Sequence, residues 1–172
     1  MRDGADEDYV EYVKAKIPAL RRLAYVLAGD PHRADDLVQQ TITTLFVKWR
    51  RAQTADNLDA YVRTMLVRTF LDEKRRAWSR VRLFRDTPEP PPYEEGGAED
   101  REVVRAALGQ VPRRQRAVLV LRFFYDLPVE EVAGALGCSA GTVKSQTARG
   151  LATLRRLLGA PEAALKEEPT IA

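Results

Sequence analysis

The side chains best equipped for chemistry in this chain are hydrogen-bond donors suited to phosphates and base edges. Lys144, Ser145, Gln146 and Arg149 are interleaved with Val143, Thr147, Leu151, Leu154 and Leu158, which recur every three or four residues. A helix with that period buries one stripe and leaves the polar side chains on its other faces. Just upstream, Val132, Ala133 and Leu136 form the apolar side of a shorter helix. Gly137 then supplies a residue that tolerates the left-handed backbone of a tight turn, and Ser139 stands where it can cap the second helix. Ala133, Gly137 and Val143 fall where two steeply crossing helices need a small residue, a turn and a core plug. Residues 129–158 therefore read as a helix-turn-helix with a basic second helix, which implies DNA as a partner. The competing reading is an ordinary helical hairpin with a solvated basic face. The glycines before Lys144 do not make a phosphate loop, because the G-x-x-x-x-G-K-[ST] spacing and a preceding strand are both missing.

Composition narrows the remaining chemistry. With 172 residues, 45% of them hydrophobic, the chain can build one packed domain or two small ones. Cys138 is the only cysteine and His32 the only histidine, so neither an internal disulfide nor a zinc ligand set is expected. Cys138 reads as a small packed turn residue. No cofactor is implied, and no paired carboxylates or nucleophile–base constellation points to an enzyme. The opening segment MRDGADEDYVEYV is acidic without an apolar core, and nothing approaches the run of about 18 apolar residues that crosses a membrane, so a cytoplasmic protein without membrane insertion is expected.

Charge is unevenly distributed. Residues 60–85 carry eight basic and two acidic side chains, and residues 101–160 carry ten and four. Between them, residues 86–100 carry six acidic side chains and no basic ones, with four prolines and two glycines. This spacer reads as an extended, solvated linker between two helical domains. At about 3.1 Å per residue it reaches about 45 Å, more than one ~34 Å turn of B-DNA, so the two basic patches can contact separate sites on one duplex. The expected organisation is 1–85, linker 86–100, 101–160 and a tail 161–172 expected to be disordered.

No strand-like alternation or internal repeat is present, and the expected fold is all-α. Val13, Ile17, Leu20, Ala24 and Leu27 make one buried stripe, with Pro18 inside it predicting a kink or a helix beginning near Ile17. A second helix is expected at 33–51 with Val38, Ile42, Leu45 and Trp49 inward. A third, at 58–76, has Val62, Met65, Leu66, Thr69 and Phe70 inward and Arg63, Thr64, Arg68, Lys74, Arg75 and Arg76 outward. After a helix carrying Val103, Val104, Ala107 and Leu108, Pro112 is expected to open a helix over 113–125 whose Val118, Leu121 and Phe124 pack beneath the helix-turn-helix.

Three motifs in this order resemble the bacterial extracytoplasmic-function sigma factors of the sigma-70 family, over nearly the whole chain. Ala34-Asp35-Asp36-Leu37-Val38-Gln39-Gln40-Thr41 resembles the family's D-A-E-D-L-V-Q-E-T-F signature in region 2.2. Ala60-Tyr61-Val62-Arg63 through Asp72-Glu73-Lys74-Arg75-Arg76 resembles regions 2.3 and 2.4, and Pro112-Arg113-Arg114-Gln115-Arg116-Ala117-Val118 with the helix-turn-helix resembles region 4. MLVRTFLDEKRR and FFYDLPVEEVAGALG are most similar to the actinobacterial SigE-like subgroup.

The resemblance implies an alternative sigma factor that binds core RNA polymerase and directs initiation at promoters with −10 and −35 elements. Asp35, Asp36, Leu37, Gln39, Gln40, Thr43 and Lys48 would meet the clamp helices of the β′ subunit. Tyr61, Arg63, Thr64, Arg68, Lys74, Arg75 and Arg76 would contact the −10 element, around a pocket for an unstacked base near residues 57–68. Arg113, Arg114, Arg116, Thr142, Lys144, Ser145, Ala148 and Arg149 would contact the −35 element, with region 4 resting on the β flap. An anti-sigma factor is a further partner the family allows. Tyr61 is either a stacking surface or a core tyrosine. Arg68 departs from the asparagine common in the family; a guanidinium only donates, and prefers phosphate or guanine acceptors. The linker carboxylates are either a nucleic-acid mimic in the polymerase cleft or a solubilising spacer. The alternative function is a stand-alone helix-turn-helix regulator, for which a palindromic site and polymerase-independent binding are expected.

Overall fold

The computed structural model describes residues 3–76 and 98–159, and every regular element among them is helical. The first unit holds α1 (Asp3–Ala28), α2 (Pro31–Val47), a single turn α3 (Trp49–Ala52) and α4 (Leu58–Arg76). The second holds α5 (Ala98–Gln110), α6 (Arg113–Leu119), a π-helical turn (Val120–Phe124), α7 (Val129–Leu136) and α8 (Ala140–Leu158). This is the expected all-α, two-unit architecture. Most of the expected linker and all of the tail 161–172 lie outside the described residues. At the linker's far end α5 already begins at Ala98, where Glu99 and Asp100 occupy its first turn. Carboxylates there complement the positive end of the helix dipole, which favours helix over extended chain.

Two further expectations are corrected and one is narrowed. α1 is one helix through Pro18, so it does not begin near Ile17. Pro18 is exposed, while Val13, Leu20, Leu23, Ala24 and Leu27 are buried on both sides of it. Burying several such side chains at about 1.5–3 kcal/mol each outweighs the roughly 3 kcal/mol penalty of an interior proline. The expected helix over 33–51 breaks at Lys48, whose backbone leaves helical geometry (φ −100°, ψ 10°). The break lets Trp49 turn inward, 5.5 Å from the Tyr9 and Tyr12 rings by centroid, and leaves Val47 80% exposed. In the second unit the helix from Arg113 widens after Leu119, where Tyr125 N–H bonds to Val120 O, five residues back. The extra residue in that turn rotates Phe123 and Phe124 outward, so Phe124 is exposed rather than packed under the helix-turn-helix. Val118 and Leu121 do occupy the core. On α5, Ala107 is buried but Val103 and Val104 are exposed.

Local signals account for the helix ends. Gly29 (φ 72°) closes α1, and the Asp30 carboxylate accepts the His32 and Arg33 N–H groups to cap α2. Asn57 caps α4 by accepting the Ala60 N–H at 3.0 Å. α8 crosses α6 at Gly150, where a Cβ would lie 2.8 Å from Leu119 Cδ1, so glycine is what permits this approach. The two units are docked: α1 packs on α5 and α6, α4 packs on α6 and α7, and one apolar cluster runs through both.

Candidate nucleic-acid interface

The helix-turn-helix is built from the turn outward. Gly137 adopts the left-handed conformation (φ 64°, ψ 41°), and Cys138 N–H bonds to Ala133 O at 3.1 Å, closing α7 as a glycine cap does. Ser139 Oγ accepts the Thr142 N–H at 3.1 Å and starts α8. Val132 and Val143 are fully buried and lock the two helices together. Lys144, Ser145, Ala148 and Arg149 are exposed on α8. The Ser145 hydroxyl donates to Gly141 O at 3.0 Å, and the Thr142 hydroxyl pairs with Ser139 Oγ at 3.0 Å. Lys144 and Arg149 are thus the longest-reaching donors of this exposed set.

The three arginines of α6 diverge. Arg114 is exposed. Arg113 donates to the Glu73 carboxylate at 2.9 Å, with its guanidinium 4.5 Å from the centroid of the Phe70 ring; both partners lie in the other unit. Burial lowers the Arg113 pKa, and the Glu73 charge opposes that shift. Arg116 corrects the expectation of a DNA contact, because it is only 8% exposed. Its Nε and Nη2 donate to Val111 O, Nη2 also to Gly109 O, and Nη1 to Leu27 O in the first unit. Burial, then the cations of Arg113 and Arg33, pull its pKa down to about 10, which leaves it charged at neutral pH. Its donors face helix-end carbonyls, which lack intrahelical partners, and none is presented to a duplex.

On α4, Tyr61 is half-buried and packs against the apolar cluster. Arg63 lies 4.7 Å from the Tyr125 ring centroid, and Arg68 reaches the backbone of α7. Burial raises the Tyr125 pKa while the Arg63 and Arg22 cations oppose it. Thr64 is half-buried. The side chains of Lys74, Arg75 and Arg76 lie outside the described residues.

On α2, Asp36, Gln39, Thr43 and Lys48 are exposed and Gln40 is half-buried. Asp35 is paired with Arg21 at 3.1 Å. Leu37 is another correction: it is fully buried in the first unit's core and offers no surface to a partner.

An open cleft of about 1110 Å³ gathers much of this first-unit set. Gln39, Gln40, Thr43 and Lys48 of α2 and Tyr61, Arg63, Thr64 and Arg68 of α4 line it, with Leu127, Glu131, Gly134 and Ala135 of the second unit opposite. The exposed cations of α8 are not among its lining residues. Glu73, Tyr125 and Gly150 position these elements, yet sequence reasoning did not single them out. Glu73 is masked by the basic run that follows it, whereas a glycine inside a helix is a signal that could have flagged Gly150.

Among the described residues no group of His, Cys, Asp and Glu could hold a metal ion, and no helix is long and apolar enough to cross a membrane.

Comparison with known proteins supplies the family. Sigma-70 region 2 matches residues 12–80, and Sigma-70, region 4 matches residues 101–154. The RNA polymerase sigma-E factor of Streptomyces coelicolor is 36% identical over 157 residues, covering 88% of this chain and 86% of its own. The ECF RNA polymerase sigma factor EcfG of Rhodopseudomonas palustris is 33% identical over 150 residues, covering 85% and 82%. Among solved structures, the sigma factor RpoE of Bartonella quintana, in complex with the anti-sigma factor NepR, superposes with a TM-score of 0.70 at 26% identity, covering 90% of this chain and 98% of that one. The chain belongs to the sigma-70 family, as an extracytoplasmic-function sigma factor of the SigE-like type.

Proposed function

We propose that this sigma factor binds core RNA polymerase through the outward face of α2, with Asp36, Gln39, Gln40, Thr43 and Lys48 against the β′ clamp helices. It then directs the enzyme to promoters in two steps of recognition. Lys144 and Arg149 enter the major groove at the −35 element, where guanidinium and ammonium groups meet guanine acceptors or phosphates, and Ala148 allows close approach. Arg114 adds a phosphate contact beside them. Arg63, Thr64, Arg68 and the basic end of α4 take the −10 element, with Tyr61 beside the unstacked base. Opening costs a few kcal/mol per unstacked base, so a built pocket is required in addition to positive charge.

The observation that carries this reading is the common wall formed by the polar stripe of α2 and the Tyr61–Arg68 face of α4. Continuity between these faces is what coupling polymerase capture to strand opening requires. The protein acts by binding alone, without bond chemistry of its own, and works in the cytoplasm beside the chromosome. An anti-sigma factor is a further partner, since RpoE was solved with NepR.

Transcription in vitro with purified core polymerase and a candidate promoter tests the proposal. Initiation at one start site, dependent on this protein, is expected; tight binding to a palindrome without core polymerase would overturn it.

A further inference from the structure

The −10 and −35 elements are centred about 25 base pairs apart, about 85 Å at ~3.4 Å per pair. A compact body of the size of the described residues, 3–76 and 98–159, has a radius of gyration of about 14 Å and is about 37 Å across. In the docked arrangement α7 faces α4 across the cleft, and Arg63 and Arg68, both −10 candidates, are engaged by the other unit. This arrangement cannot sit on both promoter elements at once.

We propose that Arg68 is the latch of this closed state. Its Nε donates to Ala135 O at 2.8 Å, and its Nη2 reaches Gly134 O at 3.5 Å, across 67 and 66 residues of sequence. Both acceptors lie in the last turn of α7, where carbonyls lack intrahelical donors and the helix dipole presents its negative end. Ala133 O is met within the unit by Cys138 N–H, so Arg68 completes the next two carbonyls of that helix end from the opposite unit. A guanidinium suits this site because its planar fork spans adjacent acceptors. The Arg113–Glu73 ion pair, with side chains 25% and 15% exposed, is a second tie across the same boundary. The donor set that reads DNA when the units part is therefore occupied by the protein's own backbone while they are together.

The inference rests on the proposed polymerase binding, and it is tested without DNA. If core polymerase binds only the open form, its apparent affinity falls by the fraction of open molecules. Arg68→Ala in the full chain is expected to tighten binding to purified core polymerase about tenfold, the scale of losing a hydrogen bond from an exposed charged donor. Arg68→Lys, which keeps charge and a donor but not the fork, is expected to fall between the wild type and Arg68→Ala. Glu73→Gln, which weakens the second tie outside the reading surfaces, is expected to shift affinity in the same direction. Unchanged or weaker binding in Arg68→Ala, with helix content retained and wild-type binding intact, overturns the latch. Absence of any binding by the wild-type chain overturns the proposed function itself.

Discussion

Replacing Arg116 separates two physical roles that its position in a basic helix leaves indistinguishable. If it were a phosphate contact, Arg116→Ala would leave folding intact and reduce the salt slope of DNA binding by about one. The structure instead gives it donors to Val111 O at 2.8 and 3.3 Å, to Gly109 O at 2.8 Å and to Leu27 O. Truncation exposes three helix-end carbonyls to a shrunken, largely apolar space. An orphaned buried acceptor costs about 1–3 kcal/mol, and water entering the vacated volume keeps each near the low end, so about 3 kcal/mol is lost in total. For a chain of this size about 1 kcal/mol corresponds to about 2–4 °C, giving a melting temperature lower by about 6–12 °C. Arg116→Lys retains one or two of the donors and should fall about midway. Thermal melts followed by circular dichroism, paired with DNA binding at several salt concentrations, measure both quantities. A variant that melts within about 1 °C of the wild type and loses only DNA affinity would refute the structural role.

Other outcomes follow from particular contacts. The Lys16 hydrogen bond, helped by the Tyr12 hydroxyl and opposed by burial, holds the Asp59 carboxyl below its ordinary value of about 3.9. A depressed carboxyl stabilises the fold above the unfolded value and ceases to do so as pH falls through the folded one. Asp59→Asn should therefore cost a few tenths to about 1 kcal/mol at pH 7, discounted because the pair is largely exposed, and almost nothing in chemical denaturation once the pH has fallen below the depressed folded-state value. Gly150→Ala places a Cβ 2.8 Å from Leu119 Cδ1. Overpacking of about 1–3 kcal/mol should exceed the gain of about 1 kcal/mol in helix propensity, and Leu119→Val in the same chain should recover part of the loss. Gly137→Ala forces a Cβ into the left-handed region (φ 64°) and should lower stability by about 1–2 kcal/mol in the same measurement. Lys144→Ala and Arg149→Ala should each weaken promoter binding by the polymerase complex by about 1–3 kcal/mol for a base contact, while a phosphate contact shows as a loss shared equally by all sequences; unaltered binding in both would remove α8 as the −35 reader.

The parts of the fold legible in the sequence are those set by local rules. α4 is found at the residues its period predicts, and the cap at Ser139 and the left-handed Gly137 are found where turn chemistry requires them. The misread parts are those where tertiary packing overrode a local rule. A buried stripe carries α1 through Pro18, and the packing of Trp49 accompanies the break at Lys48. The π turn after Leu119 redirects Phe124 by one inserted residue, and no periodicity in the sequence marks that insertion. Leu37 illustrates a different limit. A motif names every residue within a signature, whereas only the helix faces decide which of them a partner can touch, and Leu37 is at zero exposure between Asp36 and Gln39 on the surface.

Arginine is where charge patterning is least informative, for a physical reason. The five N–H donors that make a guanidinium suitable for phosphate also suit the uncompensated carbonyls at a helix C-terminus, and both acceptors are presented in arrays. Arg113, Arg114 and Arg116 share one helix and one local composition, yet they meet a carboxylate, solvent and carbonyls respectively. Net charge therefore fixes the sign of the field around the second unit but not which cations produce it. In this chain the distinction is set by position relative to the docked surface. Arg68 and Arg113 reach carbonyls and a carboxylate across the boundary, whereas Lys144 and Arg149 stand on α8 away from the cleft. Parting of the units would free Arg63 and Arg68 of α4 from the Tyr125 ring and the α7 carbonyls together, so their donors would become available to the −10 strand at the same step that allows the two units to span the promoter. Polymerase binding, by favouring the open form, would then control both reach and donor access through one equilibrium.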